Sequence, residues 1–199
     1  MISKFFEINK YKNDVNIFLF YGENEGQKKD VIKSNFSNFT KENTFRYYEK
    51  DIIQNSQLFF EQIYSKSFFE KEKLILILDV TDKILDLIKE TINSNISEIK
   101  IILQTKKLEK KSKIRNYFEK NKEILIVPFY EDTMQTLMTI GKKILNDNKI
   151  SMSQENLNLI IERSQGDRII LKNELEKIIN LSKNKKKLEV NDILKLINL

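Results

Sequence analysis

Residues Asn16–Lys29 read NIFLFYGENEGQKK, and this stretch sets the frame for the rest of the chain. The run from Asn16 to Tyr21 is nearly continuous in apolar side chains and stops at Gly22. That is the pattern of a strand buried on both faces of a sheet, without the in-and-out alternation of a strand that has one face in water. A helical pattern follows from Glu25 to Phe39. The alternation then repeats, with strands predicted at Thr44–Glu49, Leu74–Asp79 (LILILD), Ile99–Gln104 and Ile124–Phe129. Helices are predicted between them at Gln54–Tyr64, Asp82–Asn93 and Lys110–Lys120. Five strands separated by helices argue for an α/β domain, a parallel sheet flanked by helices on both sides.

After Pro128 no further strand-type run occurs and the apolar period becomes helical, so a domain boundary is expected near Tyr130. Residues 1–130 form the α/β domain in this reading and residues 131–199 a small helical bundle. Asp132 with Gln135 reads as a capping box for a helix to Asn146. Ser153 can cap the next helix, with Met152 and Leu157 as a hydrophobic staple. Gly166 is a plausible stop, Asp167 a cap for a helix to Leu181, and a last helix is predicted from Asn191. No internal repeat is visible, and Lys183–Lys187 reads as a solvated turn.

The 199 residues are 40% hydrophobic, enough for a real core, and the Ile, Lys and Asn bias with only four Gly and one Pro points to an AT-rich genome. Cys and His are both absent, which excludes disulfides, thiolate nucleophiles, imidazole catalysis and the zinc sites that need those ligands. No metal or cofactor is expected. The net charge of +6 suits a phosphate-bearing or acidic partner, but no basic arm or tail carries it. The opening MISKFFEINKYKNDVN lacks the apolar core of a signal peptide, and no segment is apolar enough to span a bilayer; a cytoplasmic protein without membrane partners is expected.

An apolar strand, a glycine and a helix are where a phosphate-binding loop would sit, because the helix's first amides and its dipole favour an anion. Laid on G-x-x-x-x-G-K-[ST] from Gly22, the second glycine should fall at residue 27 and the hydroxyl at 29. The chain instead has Gln27, Lys28 and Lys29, with Gly26 one place early. Gln27 puts a side chain where backbone must approach phosphate, and Lys29 replaces the hydroxyl that would ligate magnesium. Asp79 ends LILILD, yet Val80 stands where a water-activating Glu is needed. A helical-domain arginine that reaches a terminal phosphate usually sits three residues after a glycine, whereas Arg168 follows Gly166 by two. The loop at Gly22, Gly26, Gln27, Lys28 and Lys29 is therefore read as degenerate and non-functional, with no catalytic residue expected. Asp79 and Asp167 are expected to cap helices.

Four segments carry a family resemblance. NIFLFYGENE resembles an opening apolar strand followed by Tyr-Gly-Asp/Glu and an acidic residue, and Ser67-Phe68-Phe69 before the strand from Lys73 resembles a Ser-Leu-Phe segment. Lys107–Ile114 (KLEKKSKI) resembles a Lys-Leu-Asp-x-Arg-Ser-Lys-Leu stretch. Gly166-Asp167 with Asn173–Lys177 (NELEK) resembles a Gly-Asp and Asn-Glu-Leu-Glu-Lys signature. In their order and spacing these are similar to the delta subunit of bacterial DNA polymerase III, the clamp-loader wrench, over nearly the whole chain. The resemblance implies an AAA+-like (P-loop NTPase-like) first domain, a helical lid-like second domain and a third domain that joins a collar; the chain ends where the second would, so the collar domain is expected to be absent.

The resemblance further implies that the chain hydrolyses no ATP itself, although such subunits are classed with the holoenzyme as DNA-directed DNA polymerase, a nucleotidyltransferase. It implies binding to the beta sliding clamp through Ser67, Phe68 and Phe69, ring opening for loading onto primed DNA, and assembly with tau/gamma and delta-prime subunits. From the residues alone, Phe68 and Phe69 between Lys66 and Glu70, Lys71, Glu72 either form an apolar knob for a partner's pocket or fold at least one ring into the core. The cluster Lys106, Lys107, Lys110, Lys111, Lys113 and Arg115 either contacts DNA phosphates or is the solvated start of a surface helix. Two alternatives belong to other classes: an active P-loop NTPase or AAA+ ATPase, disfavoured by Gln27 and Lys29, and a delta-prime-type structural subunit, disfavoured by the lack of Cys.

Overall fold

A computed structural model describes residues 1–65, 72–94 and 98–184 of the chain. The described chain falls into two compact units. The first holds Met1–Glu23 and Lys28–Tyr130; the second holds Asn24–Gln27 and the described residues from Glu131 onward.

The first unit is built on five strands: β1 (Ile17–Tyr21), β2 (Thr44–Tyr48), β3 (Lys73–Leu78), β4 (Ile99–Thr105) and β5 (Ile124–Pro128). All pairings are parallel and the order is β2-β3-β4-β1-β5. Leu19 of β1, an interior strand, stands opposite Leu103 of β4 and Ile126 of β5. Successive side chains leave a strand on opposite faces, so each apolar run feeds two cores. Phe18, Phe20, Leu74, Leu76, Ile102 and Val127 pack under α1 (Ile8–Tyr11) and α2 (Glu25–Asn35) through Ile8, Val31 and Phe36. Ile17, Leu19, Ile75, Ile77, Leu103 and Ile126 pack on the other side with Ile52, Phe59, Ile88 and Phe118. Those four come from α3 (Glu49–Gln54), α4 (Ser56–Tyr64), α5 (Leu85–Asn93) and α6 (Lys113–Lys120) respectively.

Burial on both faces thus explains why β1, β3, β4 and β5 are legible in the sequence, and the predicted α/β architecture is the observed one. Helix boundaries differ more. The helix predicted at Gln54–Tyr64 is α4, which starts at Ser56 because the Asn55 side chain accepts from the Leu58 amide at 3.1 Å; the helix before it, α3, was not predicted. Helix α6 begins at Lys113 and not Lys110, because Ser112 takes the cap and accepts from the Arg115 amide. Asp79 does not cap the helix after β3. It has a positive φ of 56°, and the capping side chain is Thr81, which accepts from the Lys83 amide. A short 3-10 turn at Phe5–Glu7 leading into α1 was not anticipated.

The two edges of the sheet are finished differently. Along β5, the Ile126 amide donates to Met1 O at 2.9 Å and the Ser3 amide donates to Ile126 O at 3.0 Å. The Met1 amino group donates to the carbonyls of Ile124, Phe118 and Asn121. Pro128, at the end of the strand, has no N–H to offer. At the other edge β2 carries TFRYY with every side chain at least partly exposed.

In the second unit α7 (Met134–Asp147), α8 (Gln154–Arg163) and α9 (Arg168–Asn184) enclose a core of Leu137, Leu157, Ile160, Leu171, Leu175 and Ile178. Ser153 and Asp167 cap α8 and α9 as the sequence predicts, accepting from the amides of Asn156 and of Ile169 and Ile170. Gly166 turns between them at a φ of 83°. The cap of α7 is Thr133, which accepts from the Thr136 amide at 3.1 Å; Asp132, the predicted cap, is used elsewhere. The helix predicted from Asn191 lies outside the described residues.

Candidate functional site

The predicted phosphate loop follows β1. Gly22 has a φ of 125°, and its amide donates to Thr105 O at 3.2 Å. A Cβ at this position would lie 2.0 Å from the Phe129 carbonyl oxygen, so only glycine lets the chain leave β1 beside the end of β5. Lys28, which matches the phosphate-binding lysine of the motif, is fully buried, and its ammonium donates to the same Thr105 carbonyl at 2.9 Å. An ammonium desolvated to this degree needs close acceptors, and here a backbone carbonyl serves as one. Gln27 is buried, its amide donating to Asn24 Oδ1 at 2.9 Å, while Lys29 is exposed on the outer side of α2. The lysine that would meet a phosphate is thus spent on closing the end of β4.

The helical-domain arginine is also engaged. Within the second unit, Arg168 Nε donates to Asp132 Oδ2 at 2.7 Å and Nη2 to Asp132 Oδ1 at 2.5 Å, a two-pronged pair. Asn24 Nδ2 donates to the same Oδ2 at 2.9 Å. Gly26 completes the cluster: a Cβ there would lie 2.4 Å from Arg168 Cγ. Nothing local to Asp132 marks this arrangement, since the residue sits in a good capping context and its partner is far along the chain.

Four of the six basic residues fall around a cleft of about 660 Å³ at the carboxyl ends of β1, β3 and β4, where open parallel sheets bind ligands. Lys106, Lys107, Lys111 and Lys113 line it. So do Glu23, Asp79, Asp82 and Glu109, so four cations meet four carboxylates and the cleft has no net charge. Lys111 pairs with Glu109 at 3.1 Å. Asp82 accepts from the Ser112 hydroxyl at 2.6 Å and the Ile114 amide at 2.9 Å. Desolvation pushes its carboxyl up, but hydrogen bonds from the Ile114 and Lys113 amides and from Ser112 outweigh that and hold it below the usual range. Lys110 is exposed but does not line the cleft.

Arg115, the sixth predicted DNA contact, is turned away from a phosphate role. Its Nε donates to Glu119 at 2.7 Å and Nη1 to Leu108 O at 3.2 Å, and the guanidinium lies 5.2 Å from the Tyr21 ring centroid. The Glu119 hydrogen bond raises its already high pKa, with desolvation opposing. Glu49 is a buried carboxylate the sequence reading missed. It accepts from the amide and hydroxyl of Thr81 and fixes the loop after β3. Ser67, Phe68 and Phe69, the predicted clamp contacts, lie outside the described residues. Among the described residues, no acidic cluster is placed to hold a metal ion and no helix is long and apolar enough to cross a membrane.

The sheet order and flanking helices, with a glycine turn and helix after the interior strand β1, define an AAA+-like, P-loop NTPase-like α/β fold. No protein-family model and no curated protein matches the sequence. Solved structures match over nearly the whole chain. The Bacillus subtilis DNA clamp loader delta protein YqeN is 12% identical with a TM-score of 0.59, covering 96% of this chain and 60% of its own. Domain III of the Thermotoga maritima replication initiation protein DnaA is 15% identical with a TM-score of 0.56, covering 98% and 88%. The Thermotoga maritima RuvB Holliday junction branch migration motor is 12% identical with a TM-score of 0.62, covering 98% and 65%. At these identities the likeness is one of fold, and the chain spans less than two thirds of the clamp loader protein's length.

Proposed function

We propose that this chain is a delta-type clamp-loader subunit. In this reading residues 1–130 are a degenerate AAA+-like domain and 131–199 a lid-like helical domain. The chain binds the beta sliding clamp through Ser67, Phe68 and Phe69, favours an open ring for loading onto primed DNA, and works beside tau/gamma and delta-prime subunits. The observation that carries the reading is the fate of the nucleotide machinery. Lys28 is buried against the Thr105 carbonyl and Arg168 is forked onto Asp132, so the fold of a motor keeps its scaffold while its phosphate-binding cations serve internal contacts. The sequence resemblance and the fold shared with a clamp loader delta protein support the same assignment.

No hydrolysis is needed for ring opening by such a subunit. A partner that binds the open clamp interface more tightly than the closed one shifts the equilibrium by its differential affinity. Two adjacent aromatics suit this role, because buried aromatic anchors carry a large share of interface energy. The test is a pull-down with a bacterial sliding clamp, comparing the parent with the Phe68→Ala, Phe69→Ala double variant. Loss of capture by the variant is expected; undiminished capture would remove the site assignment. Tight Mg-ATP binding by the parent chain would overturn the nucleotide-independent reading.

A further inference from the structure

The Arg168 cluster is built more like an occupied binding site than a surface ion pair. The Arg168 side chain is 8% exposed and that of Asp132 2%. The guanidinium meets the carboxylate with two parallel hydrogen bonds, the geometry arginine uses for carboxylate and phosphate ligands. A third donor, Asn24 Nδ2, converges on the same carboxylate, and the Asn24 carbonyl group in turn accepts the Gln27 amide. Backbone without a side chain at Gly26 lets the arginine stem lie flat against it. A cation and a neutral donor converging on one anion, with a glycine giving room to the arginine stem, are the elements of a phosphate-type subsite, and the anion they hold belongs to the chain.

We infer that Asp132 is a resident anion. Its carboxylate takes the place of a negatively charged ligand on Arg168 and Asn24, so that Asn24–Gln27 are held to the helical unit at all times and not only when a ligand is bound. The inference rests on the reading that the chain takes no nucleotide and adds which group stands in for it. It also accounts for the displaced cap of α7: Thr133 caps the helix, which leaves the Asp132 carboxylate to meet the Arg168 fork.

The experiment removes the anion and offers another. In the full chain, Asp132→Gly leaves a space the size of a carboxylate facing Arg168 and Asn24. Its Tm is expected to fall by about 10 °C, the scale for stranding one partner of a buried pair in a chain of this size. Formate or acetate, compared with chloride at equal ionic strength, should restore a saturable part of that loss, and inorganic phosphate in a parallel arm reports whether the subsite takes larger oxyanions. The parent protein should show no such response. A variant as stable as the parent, or one whose loss no carboxylate reverses, overturns the inference.

Should Asp132→Gly fail to fold, a cycle of Asp132→Asn, Arg168→Gln and the double variant decides instead. Coupling predicts a double variant at least as stable as Asp132→Asn alone, and additive losses would overturn the inference. Mg-ATP binding is measured on the parent in the same series. Binding there would sink the nucleotide-independent function, whereas absent anion rescue without ATP binding sinks only the resident-anion inference.

Discussion

Replacing Gly22 with Ala is the sharpest test of how the loop after β1 is built. The new Cβ would stand 2.0 Å from Phe129 O, 2.6 Å from Phe129 C and 3.0 Å from Phe129 N, all backbone atoms that no rotamer change can move. The clash must be relieved by parting the ends of β1 and β5 by roughly 1.5 Å, the shortfall from ordinary contact. Two hydrogen bonds lie in the path: Phe129 N to Tyr21 O at 2.7 Å and Gly22 N to Thr105 O at 3.2 Å. Losing both costs about 2 kcal/mol net, and the φ of 125° adds about 1–2 kcal/mol of strain for a residue with a Cβ. The sum, about 3–4 kcal/mol, corresponds to a Tm lower by about 10 °C for a chain of this size. Gly166→Ala is the control. Its φ of 83° carries the strain alone, since nothing lies within 4 Å of the added Cβ, and about 1 kcal/mol is expected. Gly26→Ala should fall between them, because its Cβ meets the Arg168 side chain and not backbone. Thermal and urea denaturation followed by circular dichroism give all three values. A Gly22→Ala loss no larger than that of Gly166→Ala would refute the argument.

Millimolar Mg-ATP should shift the Tm of the parent chain by less than about 1 °C, since stabilisation by a ligand requires that it bind the folded state; a dose-dependent rise would contradict the assignment of Lys28 and Arg168. Asp82→Ala should cost about 1 kcal/mol at neutral pH, the net worth of the hydrogen bonds it accepts from the Ser112 hydroxyl and the Ile114 amide. Because the folded carboxyl is held below its unfolded value, this contribution is fully present above the unfolded value and is lost as pH falls on through the lower folded one, so parent and variant urea midpoints should converge in acid. Convergence in alkali instead would show the sign to be wrong. Charge balance in the cleft predicts that Lys106→Glu with Lys107→Glu weakens binding to a primed DNA by less than about threefold at physiological salt. A far larger loss in fluorescence anisotropy, relieved in the parent by added salt, would make the cleft a phosphate-tracking surface.

The parts of the fold that could be read in advance are those governed by local pattern. NIFLFY and LILILD announced β1 and β3 because both faces of the sheet are covered, and Ser153 and Asp167 announced caps because the amides they serve are two or three residues away. The readings that failed were at positions where a long-range partner outbid the local one. Asp132 looked like a cap but is taken by Arg168; Asp79 is a different case, a residue at positive φ after β3 whose expected cap is supplied two residues on by Thr81. The loop lysine was recognised by its place in the motif, yet nothing in EGQKKD marks Lys28 as buried and Lys29 as exposed. Only the sheet it packs against, and the Thr105 carbonyl at the end of β4, decide between them. Arg115 looked equivalent to the neighbouring lysines until Glu119, one helical turn on, was seen to hold it.

The unequal finish of the two sheet edges bears on self-association. With Met1 and Ser3 occupying the outer groups of Ile126 and proline closing the strand, β5 offers no row of open donors and acceptors to a second molecule. Among the described strands only β2 is left with such a row. A surface that can join on one side alone forms a pair and then has nothing further to extend, so growth of this protein into fibrils by sheet-to-sheet addition would end at two copies.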